Sequence, residues 1–194
     1  HEGRRLGRVW LLRDITERKA RERKLFELAA TDALTGLPNR RSFMARLDAT
    51  VDALHREPER RGALLMLDLD HFKHINDSFG HGTGDEVLRH VARLIPQSLR
   101  QQDNAGRLGG EEFAVLLHDV SVDEALVLAE RLRQAIESTP AETASGPIRC
   151  TTSIGLTPLA GRDPARLLSR ADRALYNAKS AGRNRVCMLD ESAA

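Results

Sequence analysis

The sequence predicts an α+β fold, in which helices pack on the faces of a β-sheet. Strand-like apolar runs and helix-like segments follow each other without the regular alternation of a doubly wound fold. The chain has 194 residues, of which 41% are hydrophobic, so it can bury one sizeable core. We therefore expect one domain with an N-terminal appendage.

The appendage is predicted to be a strand followed by an exposed helix. Residues 7–14 have the composition of a strand, and Asp14 can start the helix that follows. Opposite charges one turn apart, such as Glu17 and Arg21, favour an exposed helix. Its apolar stripe is thin, so the helix is either solvated or part of a two-stranded coiled coil. The chain begins at His1 rather than methionine, which indicates a fragment of a longer protein.

Beyond the appendage, we expect long helices over residues 39–55, 84–100, 122–138 and 163–181, with a short helix after Asp70. Strands should end near Asp70, flank Gly109-Gly110, cover residues 148–157 and lie near Val186. Pro96 falls inside the predicted helix 84–100. Because proline lacks a backbone donor, it should kink or divide that helix.

The stretch Gly109-Gly110-Glu111-Glu112-Phe113 predicts a hairpin that carries two carboxylates. Apolar runs lie on both sides, so the glycines sit where a turn between two strands is expected. Successive strand residues point to opposite faces, which indicates that one glutamate faces a site and the other lies beside it. The alternative is a plain hairpin with solvated glutamates.

A second pair of carboxylates ends a predicted buried strand. Residues 63–70 form a continuous apolar run that closes in Asp68-Leu69-Asp70, whose two aspartates share one face. Proteins commonly hold Mg²⁺ with one or two carboxylates plus phosphates and water, so Asp68 and Glu111 suit a metal ion. Asp70 directly precedes a short helical pattern, and we expect it to cap that helix rather than bind metal.

Charge and composition exclude other classes. The net charge of +2 is too small for a dedicated nucleic-acid surface, although a pI near 8.8 permits anionic small ligands. No apolar stretch approaches the length of a membrane span and no signal peptide is visible, so we expect no membrane contact in this fragment. Cys150 and Cys187 lie in strand-like runs without metal or disulfide spacing, which favours buried reduced thiols in a cytoplasmic protein.

Several segments together, over about residues 32–190, resemble the GGDEF family, the diguanylate cyclases. They are Asp32–Arg41, Asp68–Asp85, Arg107–Phe113, Ser153–Gly155 and Ala171–Asn184. Glu111 stands where the family name has aspartate, a replacement that keeps the carboxylate. The end of the appendage strand with Asp14-Ile-Thr-Glu-Arg18 resembles the end of a PAS sensor domain leading into a signalling helix. The predicted organisation is therefore a PAS-like remnant (1–13), a signalling helix (14–31), a GGDEF domain (32–190) and a tail (191–194).

The resemblance implies a palm-like sheet similar to those of nucleotidyl cyclases and polymerases. It also implies a reaction between two GTP molecules in a homodimer, in which each 3′-hydroxyl attacks the α-phosphate of the other and pyrophosphate leaves. The product would be cyclic di-GMP, which would also inhibit the enzyme. A degenerate domain that only binds GTP or cyclic di-GMP is the alternative. A nucleic-acid polymerase palm is disfavoured, since the chain has only 4% aromatic residues and no basic channel.

Site residues follow from the resemblance position by position. Mg²⁺ or Mn²⁺ would be held by Asp68, the Leu69 carbonyl and Glu111, and Glu112 would complete the metal site or activate the 3′-hydroxyl. The phosphates would meet Lys73, Lys179 and Arg183, and guanine would meet Asn76 and Asp85. Phe72 and Gly110 also belong to the implied substrate site, and His81 either touches substrate or packs. The implied inhibitory site for the product consists of Arg100 and Asp103.

One expectation about the guanine contacts comes from the residues themselves. Residues 80–84 are rich in glycine and predict a turn that lets the backbone approach a nucleotide. The alternative is a plain loop in which Asp85 caps the helix that follows.

Overall fold

The computed structural model describes residues 30–57, 59–161 and 163–189. The predicted PAS-like remnant, nearly all of the signalling helix and the tail lie outside these residues. The helices are α1 (Arg40–Arg56), α2 (Phe72–Gln97), α3 (Val122–Ser138) and α4 (Pro164–Ser180). The strands are β1 (Gly62–Leu69), β2 (Asn104–Gly109), β3 (Glu112–His118), β4 (Ala141–Thr143), β5 (Gly146–Ile148), β6 (Thr152–Pro158) and β7 (Val186–Met188).

The main sheet has the strand order β2-β3-β1-β6-β7. All neighbours are antiparallel except β6 and β7, which run parallel. Every residue of the central strand β1 is buried, as expected for a continuous apolar run covered on both faces. The α+β prediction is confirmed.

Helices cover both faces of this sheet, and alternate residues of β1 point to different helices. Leu65 and Leu67 pack in one cluster with residues of α2 and α3. Leu64 and Met66 pack in a second cluster with residues of α1 and α4. Asp68 continues the second series, so β1 delivers its carboxylate to the face that α1 and α4 cover.

Gly155 fixes how closely α4 approaches the sheet. A Cβ atom added there would lie 2.2 Å from the Ala171 carbonyl oxygen and 2.2 Å from the Leu175 amide nitrogen. Only glycine leaves room for this contact, so α4 packs directly on β6. The same packing brings Lys179, in the last turn of α4, to the end of β1.

The sequence misplaced one strand. Instead of a strand over 148–157, the chain forms a small hairpin of β4 and β5, crosses residues 149–151, and then enters β6. Ile148 therefore belongs to a separate two-stranded sheet.

Cys150 lies in the connection between β5 and β6, where burial raises the pKa of its thiol to about 11. Both described cysteines are free thiols, and Cys187 is half-buried in β7.

Helix α2 is interrupted at Gly80 and not at Pro96. Gly80 has φ 83° and ψ 160°, values that glycine adopts readily and other residues do not. Pro96 lies in the last turn, one residue before the helix ends, so its missing donor does not divide the helix. The predicted turn over residues 80–84 is thus a single-residue break. Asp85 lies inside the following helical segment and does not cap it.

Within the described residues, no helix is both long and apolar enough to cross a membrane.

Candidate functional site

The hairpin carrying the two glutamates turns one residue later than predicted. Gly109 pairs with Glu112, so the tip consists of Gly110 and Glu111. Gly110 has φ 46°, in the left-handed region that favours glycine. Glu112 is the first residue of β3 and lies directly opposite Asp68 of β1. Because directly paired residues share a face, these two carboxylates point the same way.

Asp68 is the buried acid of the site. Its residue is 8% exposed, and its Oδ2 lies 2.8 Å from Lys179 Nζ. Burial raises the pKa of Asp68, the ion pair with Lys179 opposes that shift, and the charges of Glu111 and Asp70 add to it. One lysine therefore does not balance the negative charge gathered here.

Glu112 shares this environment. Partial desolvation and the neighbouring charges of Asp68 and Asp172 raise its pKa, and Lys179 and Arg40 act against the shift. Since like charges are crowded together, an additional cation would stabilise them. Glu111 is held next to the end of β1 by its backbone carbonyl oxygen, which accepts a hydrogen bond of 3.4 Å from the Leu69 amide.

These oxygen donors suit a hard divalent cation whose coordination is completed by the phosphates of a bound substrate. Across residues 30–57, 59–161 and 163–189, no three acidic, histidine or cysteine side chains already form a metal cage. Mg²⁺ does not require one, because it is commonly held by one or two carboxylates plus substrate phosphates. The predicted ligands, Asp68, Glu111 and the Leu69 carbonyl, lie at the end of β1 and at the tip of the neighbouring hairpin.

Asp70 does not cap the helix, contrary to the prediction. His71 occupies the cap position without a side-chain hydrogen bond. The Asp70 carboxylate instead accepts hydrogen bonds from Thr151 Oγ1 and Ser153 Oγ, both at 2.7 Å, and from the Asn184 amide at 3.0 Å. Three partners distant in sequence thus fix the Asp70 carboxylate just beyond the end of β1, where it connects β1 to β6 and to the loop after α4.

The predicted guanine contacts lie together across the break in α2. A Cβ atom added to Gly84 would lie 1.9 Å from Asn76 Oδ1 and 3.2 Å from Phe72 Cζ. Asn76 and Phe72 therefore pack on Gly84, next to Asp85 in sequence. Asn76 and Asp85 are both half-buried, whereas His81 is exposed just after the break. A carboxylate and an amide oxygen are both acceptors for the N–H edge of guanine.

The three predicted phosphate contacts lie at the same end of the sheet. Lys73 is exposed in the first turn of α2, directly after β1. Lys179 reaches Asp68, as described above. Arg183 is exposed in the loop after α4 and has φ 62°, a left-handed value. This end of the sheet thus combines two carboxylates with cationic side chains.

Sequence reasoning gave no role to Asp32 and Arg107, which support the hairpin tip. Arg107 Nη1 donates to Asp32 Oδ1 at 2.9 Å, and its Nε and Nη2 donate to the Gly110 carbonyl at 3.0 and 2.7 Å. Burial opposes ionisation of Asp32, but hydrogen bonds from Thr35 and Arg107 outweigh it and lower the pKa. The Asp-x-x-Thr spacing, typical of a turn closed by its own side chain, was the available signal.

Arg100 and Asp103 lie on a separate surface. Asp103 accepts hydrogen bonds from the Arg100 amide at 2.9 Å and from the His118 amide at 3.1 Å, so it closes the turn before β2. Arg100 is exposed and lines a groove of about 350 Å³ with Asp103 and Arg46. Arg131 of α3 reaches the same region, where its Nη2 donates to the Ser98 carbonyl at 2.7 Å. The groove thus carries two guanidinium groups, those of Arg46 and Arg100.

Comparison with known proteins assigns the family. The family model described as "Diguanylate cyclase, GGDEF domain" matches residues 29–185. The chain is 42% identical over 197 residues to diguanylate cyclase DgcP of Pseudomonas aeruginosa, covering 96% of this chain and 29% of that protein. It is 44% identical over 164 residues to response regulator PleD of Caulobacter vibrioides, covering 82% of this chain and 36% of that protein. The chain therefore spans less than half the length of either relative.

Solved structures agree with the sequence relatives. The coiled coil and GGDEF domain of DgcB from Caulobacter crescentus, in complex with c-di-GMP, has a TM-score of 0.83 and 31% identity. That match covers 90% of this chain and 93% of the other. The active GGEEF domain of a diguanylate cyclase from Vibrio cholerae has a TM-score of 0.71 and 36% identity, covering 77% of this chain and 96% of the other. The chain therefore belongs to the GGDEF family of diguanylate cyclases.

Proposed function

We propose that this domain condenses two GTP molecules into cyclic di-GMP and releases pyrophosphate, with a divalent metal ion and as a homodimer. The observation that carries the proposal is the opposition of Asp68 and Glu112 across neighbouring strands, with Lys179 bound to Asp68. Carboxylates suit a hard cation and lysine suits phosphate, so a triphosphate chelated to Mg²⁺ or Mn²⁺ matches this mixture. When bound, the metal would neutralise charge that develops on the phosphate oxygens.

The chain's own residues would bind and orient the substrate. Asp85 and Asn76 would hold the guanine edge, and the cations at the end of the sheet would hold the β- and γ-phosphates: Lys73, Lys179 and Arg183. Glu112 has a raised pKa and lies on the sheet face shared with Asp68. A carboxylate in this setting is suited to accept the proton of the attacking 3′-hydroxyl.

The direct test is incubation of the purified protein with GTP and Mg²⁺ or Mn²⁺, with products identified by mass spectrometry. Each cyclic di-GMP formed requires attack by two hydroxyl groups, so two pyrophosphate molecules should appear per product. If the protein binds GTP or cyclic di-GMP but yields no product with either metal at any concentration, the domain acts as a nucleotide receptor.

We expect specific activity to rise with protein concentration in the dilute range. Each GTP must act as both nucleophile and electrophile, and one chain offers a single copy of the site, so two chains must face each other. Initial rates, normalised to protein and measured alongside analytical sizing, check this. Constant specific activity where sizing shows only monomer would contradict the dimeric mechanism.

We expect Arg100→Ala to relieve product inhibition. An exposed guanidinium in the groove with Asp103 and Arg46 can fork onto guanine or phosphate of cyclic di-GMP. Hydrogen bonds to charged groups contribute about 1.5–3 kcal/mol, so the inhibition constant should rise about 10- to 100-fold. Progress curves at equal GTP should show similar initial rates and a higher product plateau.

The matched control for Arg100→Ala is Arg93→Ala, which removes another exposed arginine of the α2 region. The control should retain the wild-type plateau. Matching plateaus for Arg100→Ala and wild type, or wild-type turnover insensitive to added cyclic di-GMP, would exclude the inhibitory site.

A further inference from the structure

The loop that follows α4 is held by a polar cluster outside the residues assigned to catalysis. Asn184 makes three different hydrogen bonds in this cluster. Its amide nitrogen donates to Asp70 Oδ2 at 3.0 Å, and its Nδ2 donates to Glu137 Oε1 at 2.7 Å. Its Oδ1 accepts from Arg133 Nη1 at 2.5 Å. We call Asn184, Asp70, Arg133 and Glu137 the Asn184 cluster.

The α3 partners of Asn184 are themselves fixed. Arg133 is only 8% exposed, although it carries a full charge. Its Nε and Nη2 donate to the Glu130 carboxylate at 2.7–3.0 Å, and its Nη1 donates to Glu137 Oε2 at 2.7 Å. A guanidinium bonded on both sides offers a rigid donor to the Asn184 side chain.

The opposite end of the cluster, Asp70, directly follows strand β1. Asp70 lies two residues after Asp68 and is tied to the start of β6 by Thr151 and Ser153. The cluster therefore connects helix α3, the start of β6, the end of β1 and the loop after α4. Among the hydrogen bonds of the described residues, no other residue of this loop bonds both to α3 and to Asp70.

The backbone of the loop shows what these contacts achieve. Arg183 and Asn184 have φ values of 62° and 45°, two successive left-handed residues that are not glycine. This conformation costs free energy and persists where surrounding contacts impose it. The Arg183 amide also donates to the Ala178 carbonyl at 3.0 Å, so the loop turns back on α4. The Arg183 side chain remains exposed, just after the last turn of α4 that carries Lys179.

We propose that Asn184 is a positioning residue: by joining α3 to Asp70 it imposes the left-handed turn that presents Arg183 to the triphosphate. The inference rests on the proposed function, since it assigns the triphosphate to this end of the sheet. Loss of the Asn184 side chain should therefore weaken phosphate binding but not guanine binding. Asn76 and Asp85 lie on α2, and among the described residues neither is hydrogen-bonded to the Asn184 cluster.

Asn184→Gly is the informative variant. Glycine accepts φ 45° without strain, so the backbone remains possible while the side-chain hydrogen bonds to α3 disappear. We expect the affinity of inorganic tripolyphosphate, measured by calorimetry with Mg²⁺, to fall roughly tenfold, as for loss of one hydrogen bond to a charged group. The affinity of guanosine should not change, and KM for GTP should rise more than kcat falls.

A conservative variant and a matched control complete the test. Glu137→Gln retains an acceptor for Asn184 Nδ2, so tripolyphosphate should bind more tightly than to Asn184→Gly. Asp119→Gly also replaces a left-handed polar residue, φ 49°, but at the far end of β3, about 20 Å from Glu112. It should bind both probes like wild type.

The outcomes separate this inference from the proposed function. Unchanged tripolyphosphate affinity in Asn184→Gly, or an equal loss for guanosine, would overturn the positioning role. Wild-type protein that binds both probes but forms no cyclic di-GMP would refute the cyclase activity, while the binding comparison would still decide the role of Asn184. Wild-type protein that does not bind tripolyphosphate would overturn the phosphate site and the inference with it.

Discussion

Replacing Asp68 with asparagine is expected to lower cyclic di-GMP synthesis by about 10³-fold, since metal stabilisation of phosphoryl transfer is worth several kcal/mol. The Asp68 carboxylate is buried, lies 2.8 Å from Lys179 Nζ and faces the same side as Glu112. Asparagine keeps the shape of the side chain but loses the charge that would hold the metal ion. Initial rates of product formation at saturating GTP and Mg²⁺ provide the measurement.

Stability should not follow activity in this variant. The pKa of Asp68 is raised by burial above all, with Lys179 opposing and Glu111 and Asp70 adding to the shift. A carboxyl whose pKa rises on folding is held ionised at a cost when the pH exceeds the folded pKa, so its charge destabilises the folded state at neutral pH. Asparagine removes that cost. We expect a melting temperature equal to or above that of wild type, which excludes unfolding as the cause of inactivity.

Asp163→Asn is the matched control for Asp68→Asn. Asp163 caps α4 by accepting a hydrogen bond of 2.9 Å from the Ala165 amide, a role that asparagine fills equally well. The cap lies about 24 Å from Lys179 along the helix. It should have the wild-type rate. A folded Asp68→Asn protein with near wild-type activity would remove Asp68 from the metal site.

The elements that could be predicted from sequence are those whose signal is local. Helix α3 begins and ends where predicted, and it carries a capping box between Ser121 and Glu124 at its start. The α1 boundary differs by one residue, with Asn39 as its cap. The β1 strand is a continuous apolar run with no competing helical pattern. In each case, neighbours in sequence determine the conformation.

The misassigned features depend on distant partners. Asp70 has the local chemistry of a helix cap, but its hydrogen-bond partners lie 81, 83 and 114 positions away. Ile148 and Cys150 continue the apolar pattern that leads into β6, yet tertiary packing assigns Ile148 to the small hairpin. Periodicity alone cannot separate these cases.

The candidate site lies between these two cases. The sequence predicted that Asp68 and the two glutamates lie at strand ends. It did not predict that Glu112 is the glutamate directly opposite Asp68, because that depends on the register of β1 against β3. The ion pair with Lys179 likewise depends on how closely α4 packs against Gly155. The family resemblance identified the motif residues in the sequence. Only the folded sheet brings their charged side chains close enough to shift one another's pKa.

The second large effect is expected at the base site, where Asp85→Ala should remove the preference for GTP over inosine triphosphate. A carboxylate can accept hydrogen bonds from both N1–H and the 2-amino group of guanine, and inosine lacks the 2-amino group. A hydrogen bond to a charged group contributes about 1.5–3 kcal/mol, so wild-type kcat/KM should favour GTP by about 10- to 100-fold. In the variant the two nucleotides should react with similar kcat/KM, and GTP turnover should fall strongly.

The surroundings of Asp85 make this a local test. Asn76 and Phe72 pack on Gly84 and do not depend on the Asp85 side chain, so the base can still enter the site in the variant. Asp48→Ala removes an exposed aspartate from α1 and should keep the wild-type preference for GTP. Comparing two nucleotides in one protein cancels errors in the active fraction, because both rates scale with it equally. If Asp85→Ala retains the wild-type preference for GTP, the 2-amino group is recognised elsewhere and Asp85 does not contact guanine there.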